Sequence, residues 1–268
     1  MRSWIAALAL GCSLSAIVAR GDEAVGEADA IVARMNARDD GRNATRTITM
    51  ELVDPDGTTR TRVARSYRRE LDGERRTALF FEEPAALKGT AFLSFDYADP
   101  AKTDDQWLYL PELRKTRRIA LAERGRAFLG TDLSFEDMKK ETKIELSDFH
   151  WELGGEETVD GHRCWVVDGT AADARIARET GYGRLRMRVD ADLAIPRFLE
   201  YWAPDGAPLK TIRLLDIEVV DGIETPQRVE AVNLQTGHRT TLRFERIDFR
   251  SEVPEDLLTE GALRRGAP

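Results

Sequence analysis

The chain has three histidines, His150, His162 and His238, far apart along its 268 residues. None belongs to an HExxH, GxSxG or SxxK arrangement. No nucleophile–base pairing is therefore signalled, and no close set of His and Cys marks a metal site. His162 follows Gly161 in a turn and His238 closes the turn Thr236-Gly237-His238, where an exposed polar residue is the economical reading. Asp104-Asp105 and Glu136-Asp137 are the carboxylate pairs that acid–base chemistry would require. Solvated turns and a helix N-terminus account for them more simply. No catalytic residue, metal or cofactor is expected, and the chemistry to look for is binding.

Binding chemistry concentrates between Asp104 and Met138. Trp107-Leu108-Tyr109-Leu110, closed by Pro111, and Thr116 to Leu121 read as two strands joined by a turn. Arg114, Lys115, Arg117 and Arg118 cluster around that turn, with Arg124 and Arg126 following, in an otherwise acidic chain. A solvated turn explains such a cluster. Its functional alternative is a patch for lipid phosphate or an acidic partner, since arginine binds phosphate in bidentate fashion. Phe128, Leu129, Leu133, Phe135 and Met138 fall in a stretch without regular period, which predicts a lid-like loop with one helical turn. Loop residues this apolar either pack down as a lid or line a groove. Met50, Phe80, Phe92, Leu93 and Met187 are candidate cavity-wall positions on strands, and Trp107 and Tyr109 share one strand face that can be core or wall. Methionine suits a wall that meets variable acyl chains.

The elements that must position these residues are mostly strands. Residues 22–38 carry Val25, Ala28, Ile31, Val32 and Met35 at helical spacing and end in Asp39-Asp40-Gly41, predicting an amphipathic helix. From Thr45 the period becomes two, with Ile48, Met50 and Leu52 alternating against polar neighbours up to the Asp54-Pro55-Asp56-Gly57 turn. Further strand windows lie near 59–70, 75–83, 90–97, 105–110, 116–121, 148–154, 163–169, 183–190, 196–203, 208–219, 226–235 and 239–249, divided by X-Gly turns. That spacing predicts an antiparallel meander and not βαβ units. Arg184, Arg186 and Arg188 alternate with Leu185, Met187 and Val189, so the sheet has a wet face. Residues 77–81 and 91–95 are apolar on both faces and must be covered on both sides. Residues 254–264 predict a short capping helix.

Composition sets the compartment. With 42% hydrophobic and 33% charged residues and a net charge of −8, the chain reads as globular with a heavily solvated surface, and its acidity disfavours nucleic acid. Arg2 precedes an uncharged apolar run from Trp4 to Val18, the pattern of a secretory leader. Cleavage after Ala19 would leave residues 20–268 as one domain in the periplasm. The alternative takes Ala9-Leu10-Gly11-Cys12 as a lipobox, making Cys12 a lipid anchor. Cys164 then stands alone in the globular part, as a buried strand residue with no disulfide partner.

QWLYLP at 106–111, FLGTDLSFEDM at 128–138, Leu87 to Leu93, the Val159-Asp160-Gly161 turn and Gln235 to Thr240 together resemble the outer-membrane lipoprotein-sorting family, LolA-like periplasmic carriers, over most of the chain. The resemblance implies an open antiparallel half-barrel of roughly eleven strands, wrapped round a hydrophobic cavity with short helices across its mouth. It implies a carrier that holds acyl chains of a lipid or lipoprotein and delivers them toward the outer membrane. An inner-membrane exporter of the resistance-nodulation-division (RND) type and an outer-membrane acceptor would be its partners. The family's shorter members lack strands present here, which leaves the cargo open. A periplasmic lipid-sensing regulatory module is the alternative reading, and a lipid hydrolase, with Ser134 or a histidine in the active site, is a third.

Overall fold

The computed structural model describes residues 19–99, 102–140 and 143–266. The expected leader and the Cys12 anchor lie outside these residues. Thirteen strands form one open, wholly antiparallel sheet, where the resemblance implied roughly eleven. In chain order they are β1 (Asn43–Val53), β2 (Thr59–Leu71), β3 (Glu74–Glu83), β4 (Ala91–Tyr97), β5 (Asp105–Leu110), β6 (Lys115–Arg118) and β7 (Phe149–Val159). There follow β8 (His162–Ala171), β9 (Arg184–Asp190), β10 (Pro196–Trp202), β11 (Pro208–Val220), β12 (Ile223–Asn233) and β13 (Arg239–Asp248). Every strand window read from the sequence is occupied. Four α-helices accompany the sheet: α1 (Ala19–Asn36), α2 (Phe135–Lys140), α3 (Ala174–Thr180) and α4 (Glu260–Arg265).

The strand order is β6-β5-β4-β3-β2-β1-β13-β12-β11-β10-β9-β8-β7. The chain starts in the middle of the sheet, runs out to one edge at β6, and reappears at the opposite edge as β7. From there it returns strand by strand until β13 pairs with β1, setting Ile48 against Phe244 and Met50 against Leu242. Residues 119–148 must therefore carry the chain from one edge of the sheet to the other. The described residues 119–140 and 143–148 run across its inner face, with α2 at 135–140.

Period-two patterning explains the two sides of the sheet. On the inner face Ile48, Met50, Leu79, Phe81, Phe92, Leu108, Leu185, Met187, Leu214 and Leu242 form one core with Val32 and Met35 of α1 and with Phe128, Leu133 and Phe135 of the bridging segment. On the outer face Tyr67, Ala78, Phe80, Ala91 and Leu93 pack under Val253, Leu258, Ala262 and Leu263 of the C-terminal segment. Strands β3 and β4 are thus covered on both sides, as their unbroken apolar runs require. In β9 the arginines face outward, Arg184 and Arg186 to Asp168 and Arg188 to Glu157 and Glu200.

The bridging segment docks closely on α3. A Cβ on Gly125 would lie 2.8 Å from the backbone of Gly181, the left-handed residue (φ 83°) that ends α3. Gly125→Ala must push the two backbones apart and is expected to lower stability by about 1–3 kcal/mol. Urea unfolding checks this, with a lowered midpoint at unchanged slope expected; an unshifted midpoint would mean that this contact is loose.

Candidate functional site

Helix α2 is fixed over the inner face by charged groups on both of its sides. Its N-cap, Ser134, makes the reciprocal capping pair: the Asp137 amide donates to Ser134 Oγ (3.0 Å) and the Ser134 amide donates to Asp137 Oδ2 (2.6 Å). Toward β4 and β5, the ammonium of Lys139, only 2% exposed, meets Glu136 at 2.9 Å, Asp96 at 3.6 Å and Asp104. Gln106 Nε2 donates to Glu136 Oε2 at 3.3 Å. Burial alone would depress the Lys139 ammonium, but the carboxylates of Glu136, Asp96 and Asp104 outweigh it and hold the lysine charged well above its ordinary range.

Toward β9–β13 the same helix is held by Asp137. The Tyr182 hydroxyl donates to its two oxygens at 2.8 and 2.9 Å, and Lys210 of β11 bridges to it. The Lys210 ammonium lies 5.0 Å and 5.4 Å from the ring centres of Tyr182 and Tyr201. Just before α2, Asp132 accepts from Thr240 Oγ1 (2.7 Å), and its Oδ2 lies 2.6 Å from His238 Nδ1. Burial pushes the Tyr182 phenol well above its usual range, and the Asp137 charge adds to this. Tyr201 is raised for the same two reasons. Both phenols therefore stay protonated.

Under this lid lies a cavity of about 140 Å³. Its apolar part draws on both halves of the sheet: Leu79 and Phe92 from one, Leu185, Leu199, Leu214 and Leu242 from the other, with Leu133 and Met138 as roof. Its other end is polar, lined by Arg46 of β1, Ser66 and Arg68 of β2 and Thr77 of β3. Behind them Asp40 takes a bidentate pair from Arg75 (2.7 and 2.9 Å) and lies 3.5 Å from Arg68 and 3.3 Å from Lys143. Burial would raise the Asp40 carboxyl, but Arg68, Arg75 and Lys143 pull it down to about 2. A cavity of about 150 Å³ admits a benzene-sized molecule, and ordinary ligand sites run to about 300–1,000 Å³. The lidded form is therefore too small for a long acyl chain.

The sequence candidates separate by face. Phe92, Leu133 and Met138 line the cavity. Met50, Phe128, Phe135 and Met187 lie in the inner core around it, with Leu129 packed against that core. The Phe128 ring meets Phe92 and Phe135, both at 5.2 Å. Phe80, Leu93, Trp107 and Tyr109 are on the outer face, because odd and even strand positions point to opposite sides, and they pack toward the C-terminal segment instead. In the basic cluster, Arg117 pairs with Glu123 at 2.7 Å and Arg118 with Asp105. Arg114 and Lys115 are exposed at the β5–β6 turn with no ion-pair partner among the described residues.

Three solvated-surface readings need correction. Asp104 is the partner of buried Lys139 and not a loose turn carboxylate, whereas Glu136 and Asp137 stand in the first turn of α2, as read, and pair with buried lysines as well. His238 is a lid contact and not a free turn residue. Arg124 is buried, donating to the Asp104 carbonyl. Cys164 is buried in β8 as read, with desolvation raising its thiol. Arg46, Ser66, Arg68 and Thr77 escaped notice, although Ser66 and Arg68 share the inward parity of Ala64 on a strand whose other face carries Tyr67. Among the described residues no group of His, Cys, Asp and Glu is placed to hold a metal ion, and no helix is long and apolar enough to cross a membrane.

The open antiparallel sheet is a LolA-like fold, shared with outer-membrane lipoprotein-sorting proteins. A family profile described as "Uncharacterized protein" matches residues 73–265, and the chain belongs to that family. Among solved structures it is similar to an outer-membrane lipoprotein-sorting protein domain from Vibrio parahaemolyticus, at 25% identity and a TM-score of 0.81, covering 90% of this chain and 100% of that one. It is similar in fold to a DUF1329 family protein from Desulfovibrio piger, with a TM-score of 0.83 at 23% identity over 90% of this chain and 99% of that one. A LolA superfamily protein from Nitrosomonas europaea follows the same fold, at a TM-score of 0.66 and 19% identity over 88% and 98% of the two chains. No curated protein matches the sequence.

The Asp40 cluster has a defined pH signature. Its folded carboxyl titrates at about 2 against an ordinary value of 3.8, so the stabilisation it gives is fully present above about pH 4 and is lost as the pH falls through 2. Asp40→Asn is expected to cost about 2 kcal/mol at pH 7. In urea unfolding at a series of pH values the gap between wild type and variant should narrow below about pH 4. A gap that stays constant into that range would remove the ionised Asp40 from the account.

Proposed function

We propose that this chain is an exported, non-enzymatic carrier that takes up an acyl chain of a lipid or lipoprotein between the inner face of the sheet and the 122–140 lid, and releases it toward the outer membrane. The observation that carries this reading is the cavity walled by apolar residues of both sheet halves and roofed by Leu133 and Met138. The similarity to a lipoprotein-sorting protein domain supports it. The apolar leader read between Trp4 and Val18 agrees with export. An RND-type exporter in the inner membrane and an acceptor at the outer membrane are the partners this reading calls for.

Loading requires the lid to move, because the closed cavity does not accommodate a long chain. Burying about twelve methylenes yields at most roughly 10 kcal/mol, less the burial given up by the lid side chains that the chain displaces. Each buried charged hydrogen bond of the latch is worth roughly 1.5–3 kcal/mol, so what remains can offset the loss of one or two of them. The same polar groups are poorly suited to hydrolysis. Ser134 Oγ is engaged in capping α2, and the Tyr182 phenol is kept protonated by burial and by Asp137.

Protein purified from a native periplasm and extracted with organic solvent is expected to yield bound lipid near one molecule per chain by mass spectrometry. Protein consistently free of lipid, and unable to take up a fluorescent fatty acid, would refute the carrier reading. Tyr182→Phe keeps the ring and removes the hydroxyl that holds Asp137. It should speed uptake of that probe by about tenfold, the equivalent of one hydrogen bond of roughly 1.4 kcal/mol. An unchanged uptake rate would show that this latch does not control opening.

A further inference from the structure

The polar end of the cavity faces the same space as the apolar wall, and strand register builds it. Ser66 of β2 is paired with Arg46 of β1, and Thr77 of β3 with Arg68 of β2, so the four side chains form a contiguous patch on the inner face. Ser66, Arg68 and Thr77 are 1%, 3% and 5% exposed. Thr77 Oγ1 is buried on the cavity wall with no hydrogen-bond partner among the described residues. A hydroxyl in that position loses about 1–3 kcal/mol unless something in the cavity bonds to it. The Arg46 guanidinium is held over the Phe244 ring at 4.6 Å, which fixes its direction.

Cations gather at this end: Arg38, Arg46, Arg68 and Lys143 line the cavity beside Asp40, Asp148 and Glu224, with Arg75 paired to Asp40, while Glu136 and Asp137 of the roof are paired with Lys139 and Lys210. Asp40 alone lies among three of the cations, and its depressed carboxyl reports the field they produce. Buried hydroxyls beside guanidinium groups match the oxygens of a carboxylate or phosphate, to which arginine makes its strongest hydrogen bonds. The wall of Leu242, Leu214 and Leu185 matches a hydrocarbon tail.

We propose that the Arg46–Ser66–Arg68–Thr77 patch receives the anionic head, a carboxylate or a phosphate monoester, of a single-chain amphiphile whose tail lies along the apolar wall of the cavity. The proposal rests on the carrier reading and adds to it a preference for head-group charge and a polarity of binding, head toward β1–β3 and tail toward β9–β13.

The test compares dodecanoate, dodecyl phosphate, dodecanol and dodecyltrimethylammonium by titration calorimetry below their micellar concentrations, with inorganic phosphate as a fifth probe. Dodecanoate or dodecyl phosphate should bind at least about tenfold tighter than dodecanol, with the trimethylammonium compound weakest and inorganic phosphate alone weaker than dodecyl phosphate. Thr77→Val, which preserves shape, and Arg46→Gln should each reduce that anionic preference severalfold, with dodecanol affinity falling less than that of the anionic compounds. Equal affinity for the anionic and neutral compounds overturns the head-group site and leaves the carrier standing. Binding of inorganic phosphate as tight as that of dodecyl phosphate overturns the amphiphile in favour of a free-anion site. Failure of every tailed compound to bind overturns both readings.

Discussion

The closed form of this protein depends on one buried ammonium. Lys139 sits under the lid among Glu136, Asp96 and Asp104, and without its charge three carboxylates would face one another in a space with little water. Removing one member of a buried pair commonly costs about 3–5 kcal/mol, whereas the net worth of the intact pair is small. The cluster therefore acts less as a source of stability than as a selector of position: α2 has one placement in which its charges are satisfied. That placement also brings Asp137 to Tyr182 and Lys210 on the far half of the sheet. A six-residue helix, too short to be stable by itself, is located by its charges and packed onto the core through Phe135.

Topology explains why there is a lid at all. A meander that begins at the centre of its sheet and is completed by β13 pairing with β1 has two free edges, β6 and β7, and a single chain must connect them. Running that connection over the outer face would compete with the C-terminal segment for Phe80 and Leu93. Over the inner face it meets an apolar surface and supplies Phe128, Leu133 and Phe135 to cover it. The lid is thus the obligatory crossing of the fold. On the carrier reading, its exchange of partners would change the inner surface without unpairing a strand.

The strands were legible because alternation is a local property, and Ile48, Met50, Leu52 or Leu185, Met187, Val189 declare their inward parity without help from distant residues. Which side is inward was not legible where both parities are apolar. Phe80 and Phe81 are neighbours of the same chemical type, yet they belong to opposite cores, and only the placement of the C-terminal segment and the lid distinguishes them. Helix α3 passed unnoticed for a related reason: seven residues bounded by Asp173 and Gly181 carry caps but too short a period to read. The polar end of the cavity was hidden by composition. In a strand as rich in arginine as β2, parity separates Arg68, which is buried against Asp40, from Arg65, which reaches the half-buried Glu82, but only once Ala64 is known to point inward.

The small volume beneath the lid bears on how the lid residues act. Phe128 stacks among Phe81, Phe92 and Phe135 and is fully buried, so in the closed form the hollow of the half-barrel is largely occupied by the protein's own side chains. An open sheet with an unfilled apolar inner face would expose a patch of the kind that drives association. On the carrier reading these rings are the resident occupant, displaced when cargo enters and returned when it leaves. The free energy of cargo binding is then the difference between two apolar contents, not the full transfer of a chain from water into an empty space. Such a difference is small enough to be reversed by a partner that engages the lid, which is what a protein that must both hold and release its cargo requires.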